Sequence, residues 1–331
     1  MRDGAMILTV TPNPALDVTY HLDEVVWNGS NRVGRVAARA GGKGVNVARV
    51  LAALGISATV LGPLGGRTGD AVREDLASAG LRDAAVGVAG ETRRTTTVVD
   101  AAGEATVFNE AGPRVTADEW AGVVRTYREL LPGARAVALC GSLPPGLPDD
   151  TYATLIALAR DAGVPVLLDT SGPAFHAGVA AGPDIVKPNA DELREATGES
   201  DPPRAVAALA ARLREAGGDA VVASLGPQGL LAATGGGWWR ARLPYAITGN
   251  PTGAGDAGVA ALITGLLGGR PWPDRLAEAV AWSASAVASP EAGDIDRTTY
   301  VTARAHVIVG AVEPPPDRTI GDTAHATHPH R

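Results

Sequence analysis

Cysteine, lysine and aromatic residues are scarce in this chain of 331 residues. The single cysteine, Cys140, excludes an intrachain disulfide and leaves no thiolate cluster for a structural metal, so a reducing compartment is expected. Aromatics make up 4% of the chain, and with hydrophobic residues at 45% the core has to be packed from Ala, Val and Leu. No apolar run approaches the roughly 20 residues needed to cross a bilayer. The opening decapeptide carries Asp3 and lacks the apolar core and cleavage site of a secretory signal, so a soluble, cytoplasmic protein without a membrane partner is expected. Positive charge is also short: 29 basic against 36 acidic residues leave a net charge of −7, which argues against nucleic-acid binding. Among the basic residues only Lys43 and Lys187 are lysines, in Gly-Gly-Lys-Gly and Lys-Pro-Asn. A compact ammonium fits where a planar guanidinium would not.

Glycine (42) and proline (24) are abundant and punctuate short apolar runs. From about Arg135 the runs Ala136–Leu139, Val164–Leu168, Asp184–Val186 and Ala220–Ala223 alternate with helical patterns, the signature of a parallel sheet covered on both faces. Thr116 and Glu119 form a capping box ahead of Trp120, Val123, Val124, Tyr127, Leu130 and Leu131, which predicts a helix. Asp149 or Asp150 can cap the next one, which ends near Gly163. The first part differs. Val18–Leu22 and Val33–Ala38 are β-prone with no helix between them, and together with Thr95–Val99 and Ala105–Phe108 they predict a small antiparallel sheet standing off the main body. Such a sheet serves as a lid over a cleft or pairs with a second subunit. After about Val312 the Pro- and His-rich end has no apolar pattern and is expected to be a disordered tail, residues 313–331, on a single domain of residues 1–312.

The sharpest chemical signal is Asn250-Pro251-Thr252-Gly253-Ala254-Gly255-Asp256-Ala257-Gly258 ahead of an apolar helical run. A glycine-rich turn opening a helix presents unpaired N–H groups and the positive end of the dipole to an anion. A carboxylate in that first turn, Asp256, is repelled by a bound phosphate unless it either caps the helix or takes a proton from an attacking hydroxyl. The same residues satisfy Gly-x-Gly-x-x-Gly, but a dinucleotide fingerprint belongs after the first strand of a βαβ unit, and this turn is late and followed by helix. Gly41-Gly42-Lys43-Gly44 is not a P-loop, because neither Ser nor Thr follows the lysine.

In order along the chain, Thr11-Pro12-Asn13-Pro14-Ala15-Leu16-Asp17, Gly41-Gly42-Lys43-Gly44-Val45-Asn46-Val47-Ala48, Gly141-Ser142-Leu143-Pro144-Pro145-Gly146, Lys187-Pro188-Asn189-Ala190-Asp191-Glu192 and Gly253-Ala254-Gly255-Asp256 resemble the ribokinase-like carbohydrate kinases of the phosphofructokinase B type. The opening motif and the lysine of Gly-Gly-Lys-Gly are most similar to the branch of 1-phosphofructokinase and tagatose-6-phosphate kinase. The resemblance implies a three-layer α/β/α fold with a mostly parallel sheet and a small β lid formed near 18–39 and 93–108. It further implies an ATP- and Mg²⁺-dependent kinase of a phosphorylated ketohexose, with fructose 1-phosphate to fructose 1,6-bisphosphate as the leading reaction. Alternatives are tagatose 6-phosphate or fructose 6-phosphate as acceptor, or a catalytically silent sugar-phosphate sensor. A homodimer through the lid is expected.

Carried over residue by residue, the resemblance makes Asp256 the catalytic base and Gly253, Ala254 and Gly255 the anion hole. Asp17, Gly42 and Asn46 become contacts to the sugar, Lys43 and Arg93 the grip on its existing phosphate, and Ser142 a further hydroxyl contact. On the nucleotide side it implies Lys187, Asn189, Ser224, Gly226 and Gly229, with Asn250 and Ser285 near the adenine and Glu192 approaching Mg²⁺ through water. Asn189 and Glu192 also fit a helix capping box. Cys140 reads as a buried strand-end residue, not a reactive thiol.

Overall fold

The computed structural model describes residues 6–103, 105–289 and 291–316, so the expected tail lies outside it from residue 317 onward. Sixteen strands follow in chain order among the described residues: β1 Met6–Val10, β2 Ala15–His21, β3 Arg35–Gly41, β4 Ala58–Leu61, β5 Pro63–Leu64, β6 Arg82–Asp83, β7 Val86–Gly87 and β8 Arg93–Val99, then β9 Ala105–Asn109, β10 Ala134–Cys140, β11 Val166–Asp169, β12 Ile185–Val186, β13 Ala220–Ser224, β14 Leu230–Thr234, β15 Gly237–Arg242 and β16 Ile308–Ala311. Ten α-helices accompany them: α1 Lys43–Ala53, α2 Gly66–Ser78, α3 Ala117–Leu130, α4 Thr151–Asp161, α5 Gly172–Ala180, α6 Ala190–Thr197, α7 Pro202–Glu215, α8 Ala254–Leu267, α9 Trp272–Val287 and α10 Arg297–His306.

The main sheet runs β16-β15-β14-β13-β12-β11-β10-β1-β4-β6. It is parallel from β13 to β6 and closes at its other side with the antiparallel strands β14, β15 and β16. Successive side chains leave a strand on opposite faces, and the core divides accordingly. Ile7, Ala138, Leu167 and Val222 pack under α1, α2, α8 and α9, while Leu8, Leu139, Leu168 and Val221 pack under α3, α4, α5, α6 and α7. This is the expected three-layer α/β/α arrangement.

The sequence signals resolve as anticipated at α3, where Thr116 and Glu119 make both halves of the capping box. At α4 they do not: Asp150 occupies the N-cap but its side chain caps nothing, and Thr151 instead donates its hydroxyl to the Pro148 carbonyl at 2.6 Å. Cys140 ends β10 fully buried, and burial pushes its thiol pKa up.

A second sheet of order β3-β2-β8-β9 is built from the two segments expected to form the lid. It is mixed, not antiparallel: β2 and β8 run parallel, and only β2–β3 and β8–β9 are antiparallel. β2 starts at Ala15, three residues before the β-prone run, because Ala15 and Leu16 pair with Gly41 and Ala40 as the chain leaves β1. Asp17 therefore lies inside the first lid strand.

Candidate active site

Gly253 forms the N-cap of α8 with φ +85°, a left-handed conformation. A side chain there would come within 3.0 Å of the Ala292 Cα, so glycine is required both for conformation and for room. The N–H of Ala254 is committed to the Pro251 carbonyl at 3.2 Å, which removes it from the expected anion hole. The N–H groups of Gly253 and Gly255 have no hydrogen bond among the described residues, and they remain as donors at the positive end of the helix.

Asp256, one residue further, is buried and does not cap the helix. Its Oδ2 accepts a hydrogen bond of 2.8 Å from Nδ2 of Asn46 on α1. Burial, reinforced by the nearby Asp169 carboxylate, lifts its pKa to about 7 against the pull of Lys43, Asn46 and Lys187. A base placed there is poised near neutrality.

Both lysines meet on Asp169, at the end of β11. Lys43 Nζ lies 2.8 Å from its Oδ1 and Lys187 Nζ 3.2 Å from its Oδ2. Asp169 is buried, and burial alone would raise its carboxyl, but Lys187 and Lys43 together hold it below the usual range. Burial also opposes the charge on Lys43; Asp169 and Glu192 outweigh it and keep the ammonium protonated. Lys43 opens α1, where the helix dipole disfavours a cation, so its place is set by the carboxylates it faces. Lys187 stands against the first turn of α8: a side chain at Gly255 would meet its Nζ at 3.5 Å.

The other half of the site lies where the lid meets the main sheet. Asp17 on β2 sits against the bare backbone of Gly41, whose position has no room for a side chain. Burial raises the Asp17 carboxyl to about 6, opposed chiefly by Arg93. Arg93 opens β8 and donates from Nε to the Asn13 carbonyl at 3.2 Å and from Nη1 to the Glu110 carbonyl at 3.1 Å. Arg94 is exposed, with its backbone N–H bound to Glu110. Gly42 caps α1 with φ +99°. Ser142 follows the elbow at Gly141, and its Oγ accepts from Asn13 Nδ2 at 3.4 Å. Lys43 and Arg93, expected to grip the sugar's phosphate together, are held by different groups, the one by Asp169 and Glu192 and the other by the backbone carbonyls of Asn13 and Glu110.

A cavity of about 530 Å³ opens beside the turn. Asn189, Ser224, Gly226 and Gly229 line it together with the apolar side chains of Leu243, Tyr245, Ile247, Val280 and Val287. Asn250 is not in the lining itself; its Oδ1 accepts from the Thr252 N–H at 3.0 Å and so shapes the loop that carries the lining residues Gly249 and Pro251. Ser285 is placed elsewhere: it is fully buried and donates to the Asp296 carbonyl at 2.8 Å, while Ser283 and Ala284 of the same helix face the cavity. Asn189 and Glu192 form the expected capping box of α6.

Thus Asp256, Asn46, Lys43, Lys187 and Glu192 come together around Asp169 and the turn, with Asp17, Arg93 and Ser142 on the lid side and Asn189, Ser224, Gly226 and Gly229 on the cavity side. Sequence reasoning missed Asp169, whose partners are 18 and 126 residues away, and the apolar wall from Leu243 to Ile247. It also gave no role to Asn13, although that residue stood inside a quoted motif.

Comparison with known proteins places this geometry. Residues 12–299 match the pfkB family of carbohydrate kinases. Among solved structures, phosphofructokinase-2 of Escherichia coli in complex with potassium superposes with TM-score 0.85 at 29% identity, covering 91% of this chain and 98% of that one. The same enzyme in complex with fructose-6-phosphate gives 0.83 at 30% over 91% and 98%. A Thermotoga maritima protein described as a possible 1-phosphofructokinase gives 0.81 at 27% over 93% of this chain and all of its own. With a family match that spans most of its length and a site built around the late Gly-Ala-Gly-Asp turn, the chain belongs to the pfkB family of carbohydrate kinases, phosphotransferases that use an alcohol group as acceptor.

Proposed function

We propose that the protein transfers the terminal phosphate of ATP to a phosphorylated ketohexose, with fructose 1-phosphate as the acceptor and fructose 1,6-bisphosphate as the product. The observation that carries this reading is the buried Asp256 carboxylate, lifted to about 7 and held by Asn46 at the mouth of an anion-binding turn. The nucleotide lies in the cavity, its base against Leu243, Tyr245 and Ile247 and its phosphates towards Asn189, Ser224 and Gly226. The sugar lies under the lid, with Asp17 accepting from its hydroxyls. Asp256 takes the proton from the attacking hydroxyl as the new bond to phosphorus forms. The free N–H groups of Gly253 and Gly255, with the ammonium groups of Lys43 and Lys187, balance the charge spread over the transferring phosphoryl group. Arg93 and Ser142 hold the phosphate already on the sugar.

The residues fit a Mg²⁺ that arrives with the nucleotide. Glu192 has Oε2 on the Asn189 N–H at 2.9 Å and Oε1 3.6 Å from Lys43. That donor set suits a hard cation keeping most of its waters, with Glu192 reached through water. Bound, the ion would neutralise phosphate oxygens.

ADP release measured with fructose 1-phosphate, fructose 6-phosphate, tagatose 6-phosphate and free fructose tests the assignment, and fructose 1-phosphate is expected to give the highest kcat/KM. Fructose 6-phosphate is the second reading, favoured by the Escherichia coli neighbour solved with that sugar. Equal turnover of free fructose would overturn the phosphate grip, and ligand-dependent thermal stabilisation without ADP would support a silent sensor. We also infer a homodimer through the lid, because Val36 and Phe108 stay 59% and 52% exposed on it. Light scattering on a Phe108→Asp variant tests this, with a monomer expected; an unchanged mass would refute it. Among the described residues no helix is long and apolar enough to cross a membrane.

A further inference from the structure

Asn13 stands where three loops meet: the exit of β1, the elbow after β10, and the return of the lid from β9. Its side chain is 4% exposed. Nδ2 donates to the Ala111 carbonyl at 3.0 Å and to Ser142 Oγ at 3.4 Å, and the main-chain carbonyl of Asn13 accepts from Arg93 Nε at 3.2 Å. Arg93 Nη1 reaches the Glu110 carbonyl at 3.1 Å, so the ring Asn13, Arg93, Glu110, Ala111 closes on itself. Gly112 has φ +92° and turns its bare backbone to Asn13 Oδ1, where a side chain would collide with the amide.

Two features show that this ring does more than pack. Among the described residues Asn13 Oδ1 is buried without a hydrogen-bond partner, a defect that costs about 1–3 kcal/mol and that an apolar residue would avoid. The ring also leaves donors aimed outward. Ser142 Oγ accepts from Asn13, and its own hydrogen has no acceptor among the described residues. Arg93 Nη2 has no hydrogen bond among the described residues. The elbow beneath Ser142 is rigid, for the Gly141 carbonyl accepts from both Tyr152 Oη and Thr170 Oγ1 at 2.8 Å.

We propose that the Asn13 side chain is a positioning group: it holds Ser142 directly and, through the Ala111 carbonyl next to the Glu110 carbonyl that takes Arg93 Nη1, it holds the lid return beside Arg93, so that Ser142 and Arg93 form one clamp for the phosphate already carried by the acceptor and set the preference for phosphorylated over free sugars. This rests on the acceptor reading given above. It acts on binding, so its removal changes KM for the sugar phosphate and not the chemistry at Asp256.

The test uses the full chain and the ketohexose phosphate it turns over best, with the unphosphorylated ketohexose beside it. If the unaltered protein shows no preference for the phosphorylated sugar, the acceptor reading falls, and the Asn13 role falls with it. If the preference is present, Asn13→Ala is expected to raise KM for the sugar phosphate about tenfold, the size of one hydrogen bond to a charged group. Its kcat, its KM for ATP and its kcat/KM for the free sugar should stay within about twofold, far below the tenfold effect sought. The double variant Asn13→Ala/Ser142→Ala should be no worse than the poorer single one, because the two act as a unit. An equal loss of kcat on both sugars would show a merely structural role, and an unchanged preference would show none; either overturns the inference with the acceptor reading intact. Should the alanine variant not fold, Asn13→Ser, too short to reach Ser142, is measured under the same criteria.

Discussion

Replacing Asp256 by Asn separates the energetic cost of the base from its use. The isosteric amide keeps the volume beside Asn46 but removes a charge that burial disfavours. In the unfolded chain the Asp256 carboxyl titrates near 3.8 and in the fold at about 7. The folded value is the higher one, so the protonated form favours the fold below pH 3.8, and that advantage is lost as pH rises through 7. Three units correspond to roughly 4 kcal/mol at full ionisation. Re-pairing Asn46 with an amide and local relaxation offset part of this, which leaves a net gain of about 1–2 kcal/mol for the variant. At about 2 °C per kcal/mol for a chain of this size, the Asp256→Asn protein should melt about 2–4 °C higher at pH 8. Between these two pKa values the parent gains about 1.4 kcal/mol for each unit the pH falls, so the gap should close near pH 6, reverse towards pH 5 and stay level above about pH 7.5. Turnover should fall by about 10²–10⁴, the usual worth of a general base, and the acid limb of kcat/KM, centred near pH 7 in the parent, should disappear. Thermal unfolding across pH 5 to 8 and ADP release across the same range check both halves. A variant less stable at pH 8, a gap independent of pH, or parental turnover would refute the assignment of a strained, ionised base.

Asp169→Asn leaves two ammonium groups without their shared buried carboxylate; a loss of about 3–5 kcal/mol is expected, read as a lower urea midpoint, and a shift under 1 kcal/mol would contradict the burial argument. Gly253→Ala combines a left-handed φ of +85° with a 3.0 Å approach to the Ala292 Cα, so turnover should fall at least about 100-fold, the scale of one lost anion-hole donor. Arg39 ties the lid strand β3 to the loop before α10, through Glu291 at 2.7 Å and Asp294 at 3.0 Å. Arg39→Met should raise KM for the sugar severalfold, measured by ADP release with ATP saturating, while an unchanged KM would show that the tie does not hold the lid in place.

How much of this was legible depended on whether a signal is local. Elements that carry their instructions in a few consecutive residues were read correctly: the Thr116 capping box, the alternation of apolar runs with helices, and the glycine turn that opens α8. The turn alone leaves Asp256 between capping and catalysis; in the fold it stays in the first turn of α8 without capping it, and its carboxylate is engaged by Asn46, 210 residues away. The lid was anticipated from β-propensity, but its mixed order was not, since the parallel pairing of β2 with β8 joins segments some 80 residues apart and no turn signal records it. Propensity also fails to register that Asp17 belongs to a lid strand, because the room for its carboxylate comes from Gly41 on the neighbouring strand.

The scarcity of lysine proved informative in a way the motifs alone were not. The two lysines lie in separate motifs and were assigned to opposite ends of the reaction, one to the sugar's phosphate and one to the nucleotide. In the fold both ammonium groups bind one buried carboxylate. That carboxylate, in Leu-Leu-Asp-Thr, has nothing in its neighbourhood to mark it: a strand end beside an apolar run is an ordinary place for an aspartate. Its meaning arises only from the parallel order of the sheet, which brings the end of β11 beside that of β10 and under the start of α1. Two compact ammonium groups fit on the two oxygens of one carboxylate, and a pair of forked guanidinium groups would crowd them. An arginine-rich chain that spends its lysines at this point has built a charge-dense corner next to the base, where the requirement for positive charge is greatest during phosphoryl transfer.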